Sequence, residues 1–181
     1  MLAYKGFKKG LICLDYQFTM GKNVTDQANC QRNGFHTAAN PLDCLVHYPD
    51  IQDSEYHLVR AEGDLDEDAI DSKISCTELT ILRELDVQQL ILHGLVYMTD
   101  HPLLEWSSKV RRERGTASDG YTVVRGYDPI ARGQLGDILA LARENLQGTQ
   151  IEEIAITCVD GKKILPDVWY GVDWKARSAS L

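Results

Sequence analysis

The sequence predicts an α+β fold: a mixed or antiparallel sheet with a few short helices, followed by a smaller, mainly β region punctuated by glycine. Three observations carry this reading. Short β-prone segments bounded by turn residues occupy both ends of the chain. Apolar residues at helical spacing follow capping residues at Asn40, Asp86 and His101-Pro102. From Gly115 onward the texture changes, with further glycines at Gly120, Gly126, Gly133 and Gly136. The corresponding organisation is an N-terminal α+β domain over 1–86, a helical connection over 87–114 and a mainly β region over 115–181.

Leu2 to Phe7 and Leu11 to Phe18 read as two strands joined by the Lys8-Lys9-Gly10 turn, and Met20 to Asn23 as the next turn. Gly34 to Ala38 is extended. Asn40-Pro41 supplies an N-cap and a proline at the first helical position, with Leu42, Leu45 and Val46 as the buried stripe. Glu55 to Glu62 and Ile74 to Leu85 are strands, the second with a slip in alternation near Leu79. An acidic connection, Gly63 to Asp71, joins them. Asp86 caps a helix carrying Leu90, Ile91, Leu95 and Met98. A second helical stretch starts at His101-Pro102 and ends in the basic run Lys109, Arg111, Arg112 and Arg114. Tyr121 to Val124 and Ile151 to Val159 are strands, Asp137 to Leu146 a short helix, and Asp160-Gly161 a hairpin turn leading to return strands over Lys162 to Leu165 and Asp167 to Val172.

With 181 residues and a hydrophobic fraction of 44%, the chain buries a core without disulfides or metal. Five cysteines at irregular spacing do not form a disulfide framework, which points to free thiols in the cytoplasm. No long apolar region follows the first residues and no segment approaches a membrane span, so neither a secretory leader nor a membrane is expected. The formal net charge of −8 opposes direct nucleic-acid binding and favours basic partners.

One set of segments is distinctive in its order. It comprises Lys5-Gly6-Phe7, Leu11-Ile12-Cys13, Tyr16-Gln17-Phe18, Gly21-Lys22, Gly34-Phe35-His36, Asn40-Pro41-Leu42, Tyr48, Asp71-Ser72-Lys73-Ile74 and Glu84-Leu85. It ends in Val159-Asp160-Gly161-Lys162-Lys163-Ile164, Pro166-Asp167 and Trp169-Tyr170. The set resembles a family of uncharacterised phage and prophage proteins. Longer members carry glycine-alanine-serine repeats that suggest a β-solenoid. The resemblance therefore implies a one-turn solenoid remnant around Arg114 to Gly120 and the glycines after it. It also implies a bacterial host cell as the setting, where small acidic phage proteins commonly bind and block host machinery, CRISPR effectors among them.

The candidate chemistry is sparse. Cys30, His36, Cys44 and His47 lie in one stretch but at no standard zinc spacing. Cys30 with His36, and Cys76 with His57, pair a thiol with a base without any local catalytic signature. Gln150-Ile151-Glu152 resembles the Gln-x-Glu tripeptide of one group of ADP-ribosyltransferases, without the Ser-Thr-Ser strand that accompanies it. Asp64-x-Asp66-x-Asp68 starts like a calcium loop but has Ala69 and Ser75 where glycine and glutamate are required. Trp169, Tyr170 and Trp174 offer an aromatic contact surface for assembly, or a cap on the core.

The acidic segment is the most informative feature. Asp50, Asp53, Glu55, Glu62, Asp64, Asp66, Glu67, Asp68 and Asp71 are opposed by Arg60 alone. The expected function is a phage-borne, non-enzymatic inhibitor of a host protein or ribonucleoprotein defence complex. Asp64, Asp66, Glu67, Asp68 and Asp71 would imitate a phosphate track for that partner's basic groove. The alternatives are an ADP-ribosyltransferase-like enzyme and a virion-associated structural protein. No catalytic residue, metal or cofactor is assigned.

Overall fold

The computed structural model describes residues 1–29, 33–67 and 72–178, and the chain divides into two units, Met1–Leu90 and Ile91–Leu181. Strands dominate both, so the fold is mostly β within the α+β class. The N-terminal unit opens with β1 (Leu2–Lys8), β2 (Ile12–Cys13), β3 (Tyr16–Gln17), β4 (Gly21–Val24) and β5 (Phe35–Ala38). A 3-10 turn (Pro41–Asp43) then runs into α1 (Cys44–His47), followed by the long strands β6 (Ser54–Glu67) and β7 (Lys73–Leu85). Helix α2 (Val87–Asp100) crosses the division between the units.

Among the described residues all strand pairings in this unit are antiparallel. β1 lies against β6 from Leu2↔Arg60 to Lys8↔Ser54, β6 lies against β7, and β7 takes both β4 and β5. β5 then meets β1 at Tyr4↔Ala38, so the path β1–β6–β7–β5 closes on itself. Closure protects the backbone edges of these strands and gives the sheet an inside. Ala3, Phe7, Phe18, Phe35, Val59, Ala61, Ile74, Cys76, Leu79 and Ile81 fill it. The slip read near Leu79 is real: Leu79 and Ile81 on one parity, and Ile74 and Cys76 on the other, all reach this core.

Several local expectations are corrected. Leu11 to Phe18 is not one strand, because Leu11 (φ 59°) and Leu14 (φ 52°) take left-handed backbone and fold it into the short pair β2–β3. The expected turn at Met20 to Asn23 includes most of β4, paired with β7 from Gly21↔Ile81. Asn40 caps as expected, its Oδ1 accepting from Leu42 N at 3.1 Å, but Val46 is exposed while Leu42 and Leu45 are buried. Asp86 and Gln89 form a reciprocal cap: Gln89 N donates to Asp86 Oδ1 (2.7 Å) and Asp86 N to Gln89 Oε1 (3.1 Å). Leu90, Ile91, Leu95 and Met98 are buried along α2.

The C-terminal unit contains β8 (Val110–Thr116), β9 (Tyr121–Arg132), β10 (Ile138–Glu144), β11 (Ile151–Cys158), β12 (Trp169–Tyr170) and β13 (Ala176–Arg177). β8, β9 and β10 are parallel neighbours, placing Val110, Val123 and Ala140 side by side. Parallel strands ordinarily need a long crossover, yet only residues 117–120 and 133–137 connect these. The chain manages it by turning corners within the strands. β8 breaks register at Glu113 (φ 60°), and β9 leaves pairing between Arg125 and Ile130 on that side. The Glu113 carboxylate joins the two corners by accepting from Tyr127 N (3.1 Å) and Asp128 N (3.4 Å). A Cβ on Gly126 would sit 2.5 Å from that carboxylate, which is why glycine stands there. β11 pairs antiparallel with β10, and β12 meets β9 at Tyr170↔Ala131.

The helix expected over 101–114 is absent; its second half is strand β8. The helix expected over Asp137 to Leu146 is β10, whose Ile138-Leu139-Ala140-Leu141-Ala142 run is buried on both faces. A doubly buried strand loses its alternation and shows the same apolar run as a helix. Asp160-Gly161 does not make a hairpin either. Asp160 Oδ1 instead gathers Lys162 N, Lys163 N and Ile164 N at 2.8–2.9 Å, and these hydrogen bonds hold its carboxyl below the usual range. Tyr170 is buried, while Trp169 and Trp174 are half-buried, with Tyr170 and Trp174 packed on the core of this unit.

His57 supplies a pH test. It is 3% exposed, its ring nitrogens make no close hydrogen bond although Glu55 Oε2 lies 3.8 Å from Nε2, and burial, outweighing the nearby Glu84 and Glu55 carboxylates, pulls its pKa below the ordinary 6.5. As pH falls through 6.5 the unfolded chain binds a proton that the folded chain refuses, so stability declines toward the lower folded value. Urea midpoints across that window should show the decline, and His57→Phe should flatten it. Gly63 is a second test. At φ 75° it begins a bulge, and an added Cβ would collide with Thr77 Oγ1. Gly63→Ala should cost about 1–2 kcal/mol, read from urea unfolding.

Candidate functional site

β6 carries the acidic residues, and its length decides how they group. Asp50, Asp53 and Glu55 belong to its beginning, where they serve local structure. Asp50 Oδ1 accepts from Gln52 N (3.0 Å) and Asp53 N (3.3 Å), and Glu55 accepts from Gly10 N (2.9 Å) and Leu11 N (3.2 Å). Asp53 faces Lys9 at 3.8 Å. Glu62 to Glu67 belong to the far end, roughly 23 to 40 Å of strand path from Glu55 at ~3.3 Å per residue. The described acidic residues from 50 to 67 therefore fall into two separate groups.

The far end is an ordered ribbon where the sequence suggested a connection. Gly63, in left-handed backbone, opens a bulge of the type that re-aims a strand. Asp64 N donates to Thr77 Oγ1 at 2.9 Å, and pairing resumes with Leu65↔Cys76, Asp66↔Ser75 and Glu67↔Ile74. Alternation puts Asp64 and Asp66 on one face and Leu65 and Glu67 on the other. Asp64, Leu65 and Glu67 are exposed and Asp66 is half-buried. Glu62 lies opposite Glu78, which is held by Lys22 at 2.8 Å. Asp68 and Asp71 lie outside the described residues.

The other candidates are placed as follows. His36 Nε2 lies 3.2 Å from Asn29 O, Cys44 and His47 are in α1, and Cys30 lies outside the described residues. Among the described residues no three His, Cys, Asp or Glu side chains converge on a metal position. Cys76 is not paired with His57; its thiol donates to Phe35 O (3.4 Å), and burial pushes its pKa up to about 11. Glu152 is exposed on β11. Among the described residues no helix is long and apolar enough to cross a membrane.

The basic run reads differently once β8 is a strand. Arg112 and Arg125 are register partners on parallel strands, so two like charges sit side by side. Arg125 is 1% exposed. Its Nε donates to Glu144 Oε1 (2.7 Å), its Nη2 to Pro102 O (2.6 Å), and its guanidinium lies 4.6 Å from the Trp106 ring centre. Arg112 reaches the same ring at 5.3 Å. A shallow cavity of about 300 Å³ opens beside this cluster, walled also by Leu103 and Leu104. The sequence reading missed this pair. Its trace was one arginine closing the apolar run Tyr121 to Val124 and one glutamate near the end of Ile138 to Arg143.

These features define a small, mostly β protein with a carboxylate-bearing ribbon in one unit and a buried ion pair in the other. Residues 1–93 match the family described as a domain of unknown function (DUF7666), and the chain belongs to that family. No curated protein and no solved structure matches it.

Glu144→Ala strands a buried guanidinium and should cost about 3–5 kcal/mol in urea unfolding. The exposed Arg143–Glu153 pair, also close at 2.9 Å, is the control. Glu153→Ala there should cost less than about 1 kcal/mol.

Proposed function

We propose that this is a binding protein, not an enzyme, and that the distal end of β6 is its contact with a cationic groove. The carrying observation is the segregation of charge. Met1–Leu90 holds fifteen of the 27 acidic residues but eight of the 19 basic ones, so nearly all the net charge lies in that unit. Its densest part, Asp64 to Glu67, stands on a paired ribbon, so those carboxylates bind without first ordering a loop.

The row of carboxylates supports mimicry of a nucleic-acid strand. Asp64, Asp66 and Glu67 span about 10 Å at ~3.4 Å per residue. Three carboxylates over that length average one per ~5 Å, with Asp64 and Asp66 on one face and Glu67 on the other, a row of anions of the kind that phosphates present to a cationic groove. With the family resemblance drawn above, the setting we propose is a phage or prophage, and the partner a host defence complex of the CRISPR type. On the same reading, the stacked parallel rungs of β8, β9 and β10 are the stub of a solenoid that longer relatives extend.

The test is inhibition of target cleavage by a guide-loaded CRISPR effector, with binding measured at low and high salt. Wild-type binding should weaken as salt rises. Asp64→Lys, Asp66→Lys and Glu67→Lys together should reduce it at least about tenfold, roughly 1.4 kcal/mol. Unchanged inhibition by the folded triple variant would overturn the ribbon as the contact.

A further inference from the structure

Ala3, Lys5 and Phe7 alternate along β1 toward the interior of the closed sheet, and Lys5 is the polar member of that set. It is 5% exposed. Its Nζ donates to His36 O (2.6 Å), lies 3.6 Å from Cys13 Sγ, and stands 5.2 Å from the ring centres of both Phe7 and Phe18. Among the described residues no carboxylate forms an ion pair with it. Burial without a counter-charge favours the neutral amine and lowers the Lys5 pKa, which is the usual way a lysine becomes nucleophilic.

The sulfur facing this amine is partly accessible. Cys13 is half-buried, whereas Cys44 and Cys76 are buried, with thiols pushed up to about 12 and about 11. Tyr48 Oη donates to Cys13 Sγ at 3.1 Å, and burial raises its own pKa so that it keeps that proton. The Nζ–Sγ separation is one small side-chain adjustment from the ~3–3.5 Å of a near-attack geometry.

We infer that Lys5 and Cys13 are a modification site: hydrogen peroxide joins them through a nitrogen–sulfur bond. In the first step the Cys13 sulfur attacks one peroxide oxygen. An S–O bond forms, the O–O bond breaks, and hydroxide leaves as water with the thiol proton, giving a sulfenic acid. In the second step the neutral Lys5 amine attacks that sulfur. An S–N bond forms, the S–O bond breaks, and the departing hydroxide takes a proton from nitrogen and leaves as water. The sulfur is oxidised by two electrons and the peroxide is reduced to two waters. Tyr48, on the sulfur, positions the group that departs.

The experiment treats the full chain with hydrogen peroxide, digests it under denaturing non-reducing conditions and maps the peptides by mass spectrometry. The expected product joins the Lys5 and Cys13 peptides, is lighter by two hydrogen atoms than their sum, disappears on treatment with a thiol reductant, and is absent from Cys13→Ser. Lys5 is buried, so the unaltered chain and not a lysine variant decides the matter. Recovery of Cys13 as a sulfinic acid, or as an adduct of a sulfenic-acid-trapping dione, with an unlinked Lys5 would overturn the assignment. So would recovery of both residues unchanged.

Discussion

The pairing of β6 with β7 governs the N-terminal unit. These are its longest strands, and every other strand that builds the closed sheet attaches to one of them. Their register is broken twice, between Leu58 and Val59 and between Glu62 and Leu65. A break of this kind adds a residue on one side and turns the strand, which is what lets a sheet curve far enough to meet itself. The same second break passes through Gly63 and sends the ribbon on to Asp64, Asp66 and Glu67. Curvature of the core and direction of the acidic end thus come from one local device.

The sequence revealed those parts of the fold whose signals are short-range. Asn40 and Asp86 act as caps because the side-chain oxygens that mark them are the ones the orphan amides need. The slip near Leu79 was legible because parity is counted residue by residue. Errors arose where distant partners decide the structure. β10 reads as a helix until β9 and β11 cover it, and Lys109 to Arg114 reads as a helix end until β9 supplies a parallel neighbour. The charge of the acidic segment is legible in its composition. Its division into two ends of β6 was hidden, because strand length depends on pairing with β7.

Among the described residues two cations, Lys5 and Arg125, are buried, and they are accommodated differently. Arg125 is given a carboxylate, a carbonyl and an aromatic face, so it stays charged and ties three segments of its unit together. Lys5 is given a carbonyl, a sulfur and two aromatic rings but no carboxylate. Arginine cannot shed its proton in a protein, whereas lysine can. The choice of residue therefore separates a structural tie from a site with chemical potential.

β8 lies at the edge of the parallel set β8–β9–β10, and among the described residues it pairs with β9 alone. An uncovered rung of this sort is a template on which another chain would add and the stack would lengthen without limit. Lys109, Arg111, Arg112 and Arg114 stand along or beside that rung. An identical strand arriving there would bring the same four positive charges into register with them. Their mutual repulsion opposes the pairing of a second copy at that edge.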